Sequence, residues 1–242
     1  MTGKNNVVGA SQALFDDFAE NYEEACAKGV SLSGESADYF AAGRIAYTAN
    51  WLAALGAPIP WSAADFGCGM GSSIPHLRRH FPAADLIGLD VSTAAIDKAT
   101  KTYGDVAKFM SFEEYTAAQD RQFVYCNGVF HHIDPADRNE WVAKILGMLS
   151  PGGYFALWEN NPWNPGTRMV MRRIPFDRDA LPLPSPEAVA LLAGSGFDVI
   201  GVRFRFYFPR VLSFLRPLER YAERFPLGAQ YCVLARKPLV TR

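Results

Sequence analysis

The chain has 242 residues, 49% of them hydrophobic and 20% charged, enough apolar material for a sizeable core and in keeping with one α/β domain. Its 24 Lys and Arg nearly balance 25 Asp and Glu, for a formal net charge of -1, so no global field draws it to nucleic acid or to an acidic membrane, and any anion site is local. Cys26, Cys68, Cys126 and Cys232 stand far apart without a CxxC pair, which argues against a disulfide framework and a zinc cluster, while the lack of an apolar signal core or of ~18 successive apolar residues makes the cytoplasm the expected address.

Residues 1–9 read as a polar tail and 10–242 as one domain. Phe15, Phe18, Tyr22 and Cys26 recur at helical spacing with acids on the other faces, which predicts an amphipathic opening helix. A second helix is predicted over 44–55, where Ile45, Thr48, Leu52 and Leu55 share a stripe ended by Gly56 and Pro58. Together, residues 10–58 form an expected N-terminal helical lid.

From there strands and helices alternate. Strands are predicted at "WSAADFG", "ADLIGLD", "VAKFM", "QFVYCNGVF", "GYFALWE", "FDVIGVRFRFYF" and "QYCVLARK". Between them, Ser92 is a predicted cap, Asp137 with Glu140 has capping-box spacing, and Ser185-Pro186-Glu187 starts a helix that ends near Gly194. In the sixth strand Val202, Phe204, Phe206 and Phe208 alternate with Arg203, Arg205 and Tyr207, as in a strand with one wet face. The whole predicts a doubly wound, mostly parallel sheet with helices on both faces.

Two long connections interrupt this series. Residues 160–184 carry five prolines with Trp163 and Phe176, the pattern of a packed lid over a substrate; Arg168 and Arg172, one helical turn apart, are candidates for clamping an anionic group. Residues 209–228 place Val211, Leu215, Leu218, Ala222 and Phe225 on one side and Arg216, Arg220 and Arg224 on another, with Pro217 expected to split two short helices. That stripe is expected to cover the core or a partner copy, with peripheral membrane contact the alternative.

The chemistry centres on "ADFGCGMGSS". Gly67, Gly69 and Gly71 follow a strand and precede a helix, where glycine permits positive φ and lets backbone N–H groups approach a ligand. Asp90, ending the next strand, is placed to accept both ribose hydroxyls, so an adenosine-containing cofactor is expected. Asp65 just before the glycines would repel a pyrophosphate and favours a cationic ligand.

With "DFGCGMG", "GLD", "NGVFHHI", "LSPGGYFALWE" and "LLAGSGFDVI" in this order, the chain resembles the class I S-adenosylmethionine-dependent methyltransferases. The resemblance implies a Rossmann-like seven-stranded sheet with a reversed last hairpin, and S-adenosylmethionine as cofactor with S-adenosylhomocysteine as product. It places the cofactor at Asp65, Gly67, Cys68, Gly69 and Gly71, its ribose at Asp90, and its adenine near Val91, with Ser111, Phe112 and Asn127 as further contacts. Tyr22, Tyr39 and Arg44 become candidates for closing over the cofactor and the acceptor.

His131 and His132 follow the fourth strand. A neutral histidine has a suitable pKa for taking a hydroxyl proton as a methyl group moves, so His131 is the first candidate base, Glu159 at the end of the fifth strand is the second, and His132 is expected to face the acceptor. Adjacent histidines on an extended segment point opposite ways, so no metal site is expected. The expected function is methyl transfer to a small-molecule acceptor, apolar in body with an acidic group or lipid-like, at a hydroxyl oxygen. The alternatives are a protein that binds the cofactor without transferring methyl, or uses it only electrostatically, and, further off, a nicotinamide-dependent oxidoreductase. The oligomeric state is left open.

Overall fold

A computed structural model describes residues 28–116, 119–177 and 180–239. The tail and the opening helix with Tyr22 lie outside the described residues.

Seven strands, β1 Ser62–Phe66, β2 Asp85–Asp90, β3 Lys108–Ser111, β4 Arg121–Asn127, β5 Leu149–Asn160, β6 Asp198–Arg205 and β7 Gln230–Arg236, form one sheet in the order β3-β2-β1-β4-β5-β7-β6. Pairs from β3 to β5 are parallel, while β7 runs antiparallel to both β5 and β6, giving the reversed hairpin that the resemblance implies. The central strands are buried along their length because helices cover both faces of a parallel sheet.

Side-chain alternation at period two splits the core into two layers. Phe66, Val124, Phe155 and Tyr231 pack beneath α4 Arg138–Met148 and α6 Ser185–Gly194. Phe123, Tyr125 and Trp158 pack on the opposite side with Ile45 and Leu52 of α1 Ala37–Ala54 and Leu77 of α2 Ile74–His80. Helix α3 Thr93–Tyr103 joins β2 to β3. Among the described residues no helix is long and apolar enough to cross a membrane.

Local signals set the helix starts. The Ser92 hydroxyl accepts the Ala95 N–H at 3.1 Å, as predicted. Helix α1 begins earlier than residue 44 because Ser36 accepts the Tyr39 N–H at 3.1 Å. The expected capping box at Asp137 is absent: the turn at Asp134 has already placed Asp137 in helical conformation, and its side chain makes no cap bond. Pro184, not Ser185, stands at the N-cap position of α6, and no side-chain bond caps the helix there.

Strand β6 stops at Arg205, and the expected alternation fails there. Phe206 has φ 62°, a left-handed conformation that turns its ring to the face opposite Phe204. The ring packs against Tyr39, Phe40 and Trp158, and it closes on α1 only because Gly43 has no side chain: a Cβ there would stand 2.8 Å from it.

The 209–228 connection forms a 3₁₀ segment Arg210–Leu218 followed by α7 Glu219–Ala222, with Pro217 near the junction. Its stripe does not cover the core. Val211, Leu218 and Phe225 of the expected stripe are exposed, as are Phe214 and Tyr221 beside them, while Leu215 and Ala222 are half-buried; the segment is tied to β6 through the Phe204 N–H, which donates to the Glu223 carbonyl at 2.7 Å.

Candidate active site

At the end of β1 the chain turns back beneath β2. The N–H groups of Gly67 and Cys68 both donate to the Leu89 carbonyl, at 2.8 and 3.0 Å, and the Gly69 N–H donates to Asp90 Oδ2 at 2.7 Å. Asp90 Oδ1 accepts the Ser92 N–H at 3.0 Å, so one carboxylate ties the glycine turn to the start of α3.

All three glycines have positive φ, yet for different uses. A Cβ on Gly67 would meet Val129 at 2.3 Å and one on Gly71 would meet Tyr103 at 3.0 Å, so these two serve packing. A Cβ on Gly69 would meet nothing within 4 Å, so this glycine opens a cradle. Gly69→Ala is therefore expected to cost stability only the left-handed strain, roughly 1–2 kcal/mol, while obstructing a ligand in the cradle. Thermal unfolding set beside cofactor titration checks this: a stable variant that still binds normally would remove Gly69 from the site.

Asp65 lies beneath the cradle, 2% exposed, and its Oδ2 has no hydrogen-bond partner. Burial and the nearby Asp90 charge push its carboxyl up to about 7, against the opposing pull of Arg44. A buried, unsatisfied carboxylate oxygen beside an open glycine turn is the arrangement a cationic ligand completes. The residues present fit S-adenosylmethionine, whose sulfonium and ammonium are such groups, and a carboxylate such as Asp90 can accept more than one hydrogen bond per oxygen, as a ribose diol requires.

Arg44 is not at an open substrate edge as expected. It is buried, donating from Nε to Tyr125 Oη at 2.9 Å and from Nη1 to Gln230 Oε1 at 3.0 Å. Register explains the placement: Asp65 pairs with Tyr125 across β1 and β4, so both side chains face α1, where Arg44 meets them. Tyr39, one turn before, packs under the Arg216 guanidinium at 4.8 Å, and Arg216 pairs with Glu35 at 2.7 Å, joining α1 to the 209–228 connection.

On the adenine side, Ser111 pairs with Asp90 in register and its N–H donates to Glu114 at 2.8 Å. Phe112 packs on Phe66 and Trp141, with ring centroids 4.5 and 5.0 Å away, so it is largely a wall of the core. Cys68 is buried against the Gly88 backbone, and burial raises its thiol. Val91 follows Asp90 directly, and Asn127 ends β4.

His131, His132 and Glu159 come together, but not as expected. His131 Nδ1 lies 2.6 Å from Glu159 Oε2, and Glu159 Oε1 accepts the Phe130 N–H at 2.8 Å. His131 Nε2 faces Asp177 Oδ1 at 3.5 Å. His131 Nδ1 and both oxygens of Glu159 are thus engaged within the protein, His131 Nε2 is turned toward a carboxylate, and both residues are buried, so neither presents a free atom to an acceptor. Burial works against charge on His131, but the two carboxylates outweigh it and lift the imidazole to about 10.

The two histidines are not on an extended segment. Phe130–His132 is a 3₁₀ turn that sets the rings side by side, centroids 4.1 Å apart, with His132 Nε2 also on Asp177 Oδ1 at 3.3 Å. The premise that they diverge fails for this reason.

In the 160–184 connection, α5 Pro165–Arg173 is anchored to the residues before β7: Asn161 Nδ2 donates to the Pro226 and Gly228 carbonyls, and Thr167 to that of Ala229. Trp163, Arg168 and Arg172 point outward and are exposed, so the expected arginine clamp faces solvent. Sequence reasoning missed Asp177 and Tyr125. Tyr125 had a signal, a hydroxyl within the apolar run from Phe123 to Cys126; Asp177 had none, being one of two acids in an irregular stretch.

A methyltransferase domain family matches residues 64–155. A trans-aconitate 2-methyltransferase of Methylobacterium radiotolerans is 28% identical over 127 residues, which is 52% of this chain and 48% of the relative. The chain thus spans about half the length of the curated relatives it matches. The plantazolicin methyltransferase BpumL, solved with a monoazolic desmethylPZN analog and SAH, aligns over 93% of this chain and 99% of its own with TM-score 0.61 and 16% identity. The [4+2]-cyclase SpnF aligns over 74% and 76% with TM-score 0.54 and 15% identity. These structures share the fold.

Proposed function

We propose that the chain is a class I S-adenosylmethionine-dependent methyltransferase and that it transfers the methyl group of S-adenosylmethionine to an oxygen of a small-molecule acceptor, a reading the methyltransferase domain match and the trans-aconitate 2-methyltransferase relatives support. The observation that carries this reading is the orphaned Asp65 oxygen beneath the Asp90-anchored glycine turn. When bound, the cofactor supplies an electrophilic methyl on a sulfonium. Asp90 and the Gly69 cradle hold the ribose side, and Asp65, kept in place among Arg44 and Tyr125, draws the positive charge to one position. Transfer of this kind depends chiefly on in-line alignment, which rigid elements supply.

His131 and Glu159 act in this reading as a positioning pair that fixes the loop after β4. A hydroxyl acceptor would need a base that neither can provide, so the favoured acceptor oxygen arrives already ionised, as a carboxylate does. The relatives named for trans-aconitate, a carboxylate compound, support that choice. A hydroxyl oxygen is the second reading.

The test is incubation with labelled S-adenosylmethionine and parallel panels of small carboxylates and small alcohols or phenols. The expected product is a methyl ester, which mild alkali hydrolyses with release of methanol. An alkali-stable methyl ether would move the reading to hydroxyl transfer. Tight cofactor binding with no S-adenosylhomocysteine formed on either panel would support the non-transferring alternative; binding of NADH in place of the cofactor would establish an oxidoreductase.

Asp65 also makes binding pH-dependent. A cationic ligand favours its ionised form, so affinity for S-adenosylmethionine is expected to rise as pH increases through about 7, with protons released on binding. For the ligand-free protein the sign is opposite: the folded state holds a proton that the unfolded chain gives up above 3.8, so the Asp65 contribution to stability falls between there and about 7. Calorimetric titration at several pH values checks the first statement, with Asp65→Asn expected to flatten the curve; an equally steep curve in that variant would assign the dependence to another group.

A further inference from the structure

The turn after β4 brings together three side chains that the transfer reading leaves without a ligand. We propose that His131, His132 and Asp177 form a binding site for one divalent metal ion of the zinc class. The three ligand atoms lie within 4.8 Å of one another.

The distances carry the argument. Both Nε2 atoms aim at a single carboxylate oxygen, at 3.5 and 3.3 Å. A charge-assisted hydrogen bond would close to roughly 2.7–2.9 Å. Two ligands sharing a tetrahedral ion with bonds of ~2.0–2.1 Å stand about 3.3 Å apart. Each histidine stands from Asp177 at the spacing of neighbours on a coordination sphere, and an ion would draw together the two imidazole nitrogens, which lie within 4.8 Å of one another.

The surroundings are those of a supported site. Glu159 holds His131 Nδ1 at 2.6 Å, which fixes the ring with Nε2 toward the centre, the carboxylate–histidine–metal arrangement. Two carboxylates, Asp177 and Glu159, match the charge of one divalent ion, which on binding would displace the proton that His131 otherwise holds. The frame is rigid: the Leu181 N–H donates to the His131 carbonyl at 2.8 Å, and Arg138 Nη2 donates to the Leu181 carbonyl at 2.6 Å, pinning the connection that carries Asp177 to the turn that carries the histidines. Three protein ligands leave a fourth position for an oxygen donor, the pattern of open zinc sites. The site lies at the carboxyl ends of β4 and β5, on the edge of the sheet that bears the glycine turn. It rests on its own geometry and holds whether or not the chain transfers methyl.

The whole chain, stripped with a chelator, is titrated with Co2+ and followed by visible absorption, then challenged with Zn2+. The expected result is one equivalent bound with bands of tetrahedral intensity, displaced by Zn2+. His132→Ala and Asp177→Asn should each weaken binding by at least about tenfold. His76 and His80, one turn apart on α2, are the competing surface pair, so His76→Ala is the control and should bind as wild type. Binding lost in His76→Ala but kept in Asp177→Asn overturns the proposal, as does absence of binding at millimolar Co2+. Should His132→Ala fail to fold, the isosteric Asp177→Asn carries the comparison, with circular dichroism confirming its fold.

Discussion

Asp90→Ala is expected to weaken binding of both S-adenosylmethionine and S-adenosylhomocysteine by about a hundredfold, the scale set by losing hydrogen bonds to a charged group worth roughly 1.5–3 kcal/mol each. The effect has two sources. In the proposed function the carboxylate accepts from the ribose diol, and it also fastens the Gly69 N–H, so its loss both removes the proposed contact and loosens the cradle. Calorimetric titration measures it, and thermal unfolding of the ligand-free variant separates the two sources. Wild-type affinity in a folded Asp90→Ala protein would detach β2 from cofactor binding and with it the proposed function.

The second large effect falls on stability. In Glu159→Ala the buried Phe130 N–H and His131 Nδ1 both lose their partner. Breaking a buried pair in this way costs about 3–5 kcal/mol. For a domain of this size that is a fall in Tm of roughly 6–20 °C, measured in chelator so that no bound ion offsets the loss. A cost under ~1 kcal/mol would mean that the pair does not form in solution, and His131 would regain its place as the expected proton acceptor. Glu159→Gln, which keeps an acceptor for the Phe130 N–H, should lose less.

Most of the fold was legible because its signals are local. Every predicted strand from "WSAADFG" to "QYCVLARK" overlaps an observed one, since a parallel sheet covered on both faces demands short apolar runs and the chain supplies them between capped helices. The Ser92 cap and the glycine turn were equally readable, each needing residues only a few positions apart. What failed depended on distant partners. The alternation through Phe206 broke because that ring is claimed by α1, more than 150 residues away in the chain, and its backbone yields to the packing. Arg44 read as a candidate for closing over the cofactor and the acceptor because nothing near it in sequence announces Tyr125 or Gln230. His131 and Glu159 were both singled out, yet as rival bases: two residues at the ends of neighbouring strands are natural partners, and that pairing is a property of register, not of either local sequence. The outward face of the 209–228 stripe was hidden for a related reason, since amphipathic spacing says which residues share a side and not whether anything lies against it.

The strand order has a consequence for how the chain reaches its native state. Strand β7, the last of the seven in chain order, does not add to an edge; it lies between β5 and β6. Until residues 230–236 emerge, β5 and β6 have no shared neighbour and the sheet stands open in its interior, with apolar Leu157, Phe155 and Phe204 uncovered along the gap. Nascent chains shorter than this are accordingly templates for mispairing with one another, because two unsatisfied strand edges are exposed at once. Closure of the gap also brings Gln230 to Arg44, so insertion of β7 and the completion of the surroundings of Asp65 coincide.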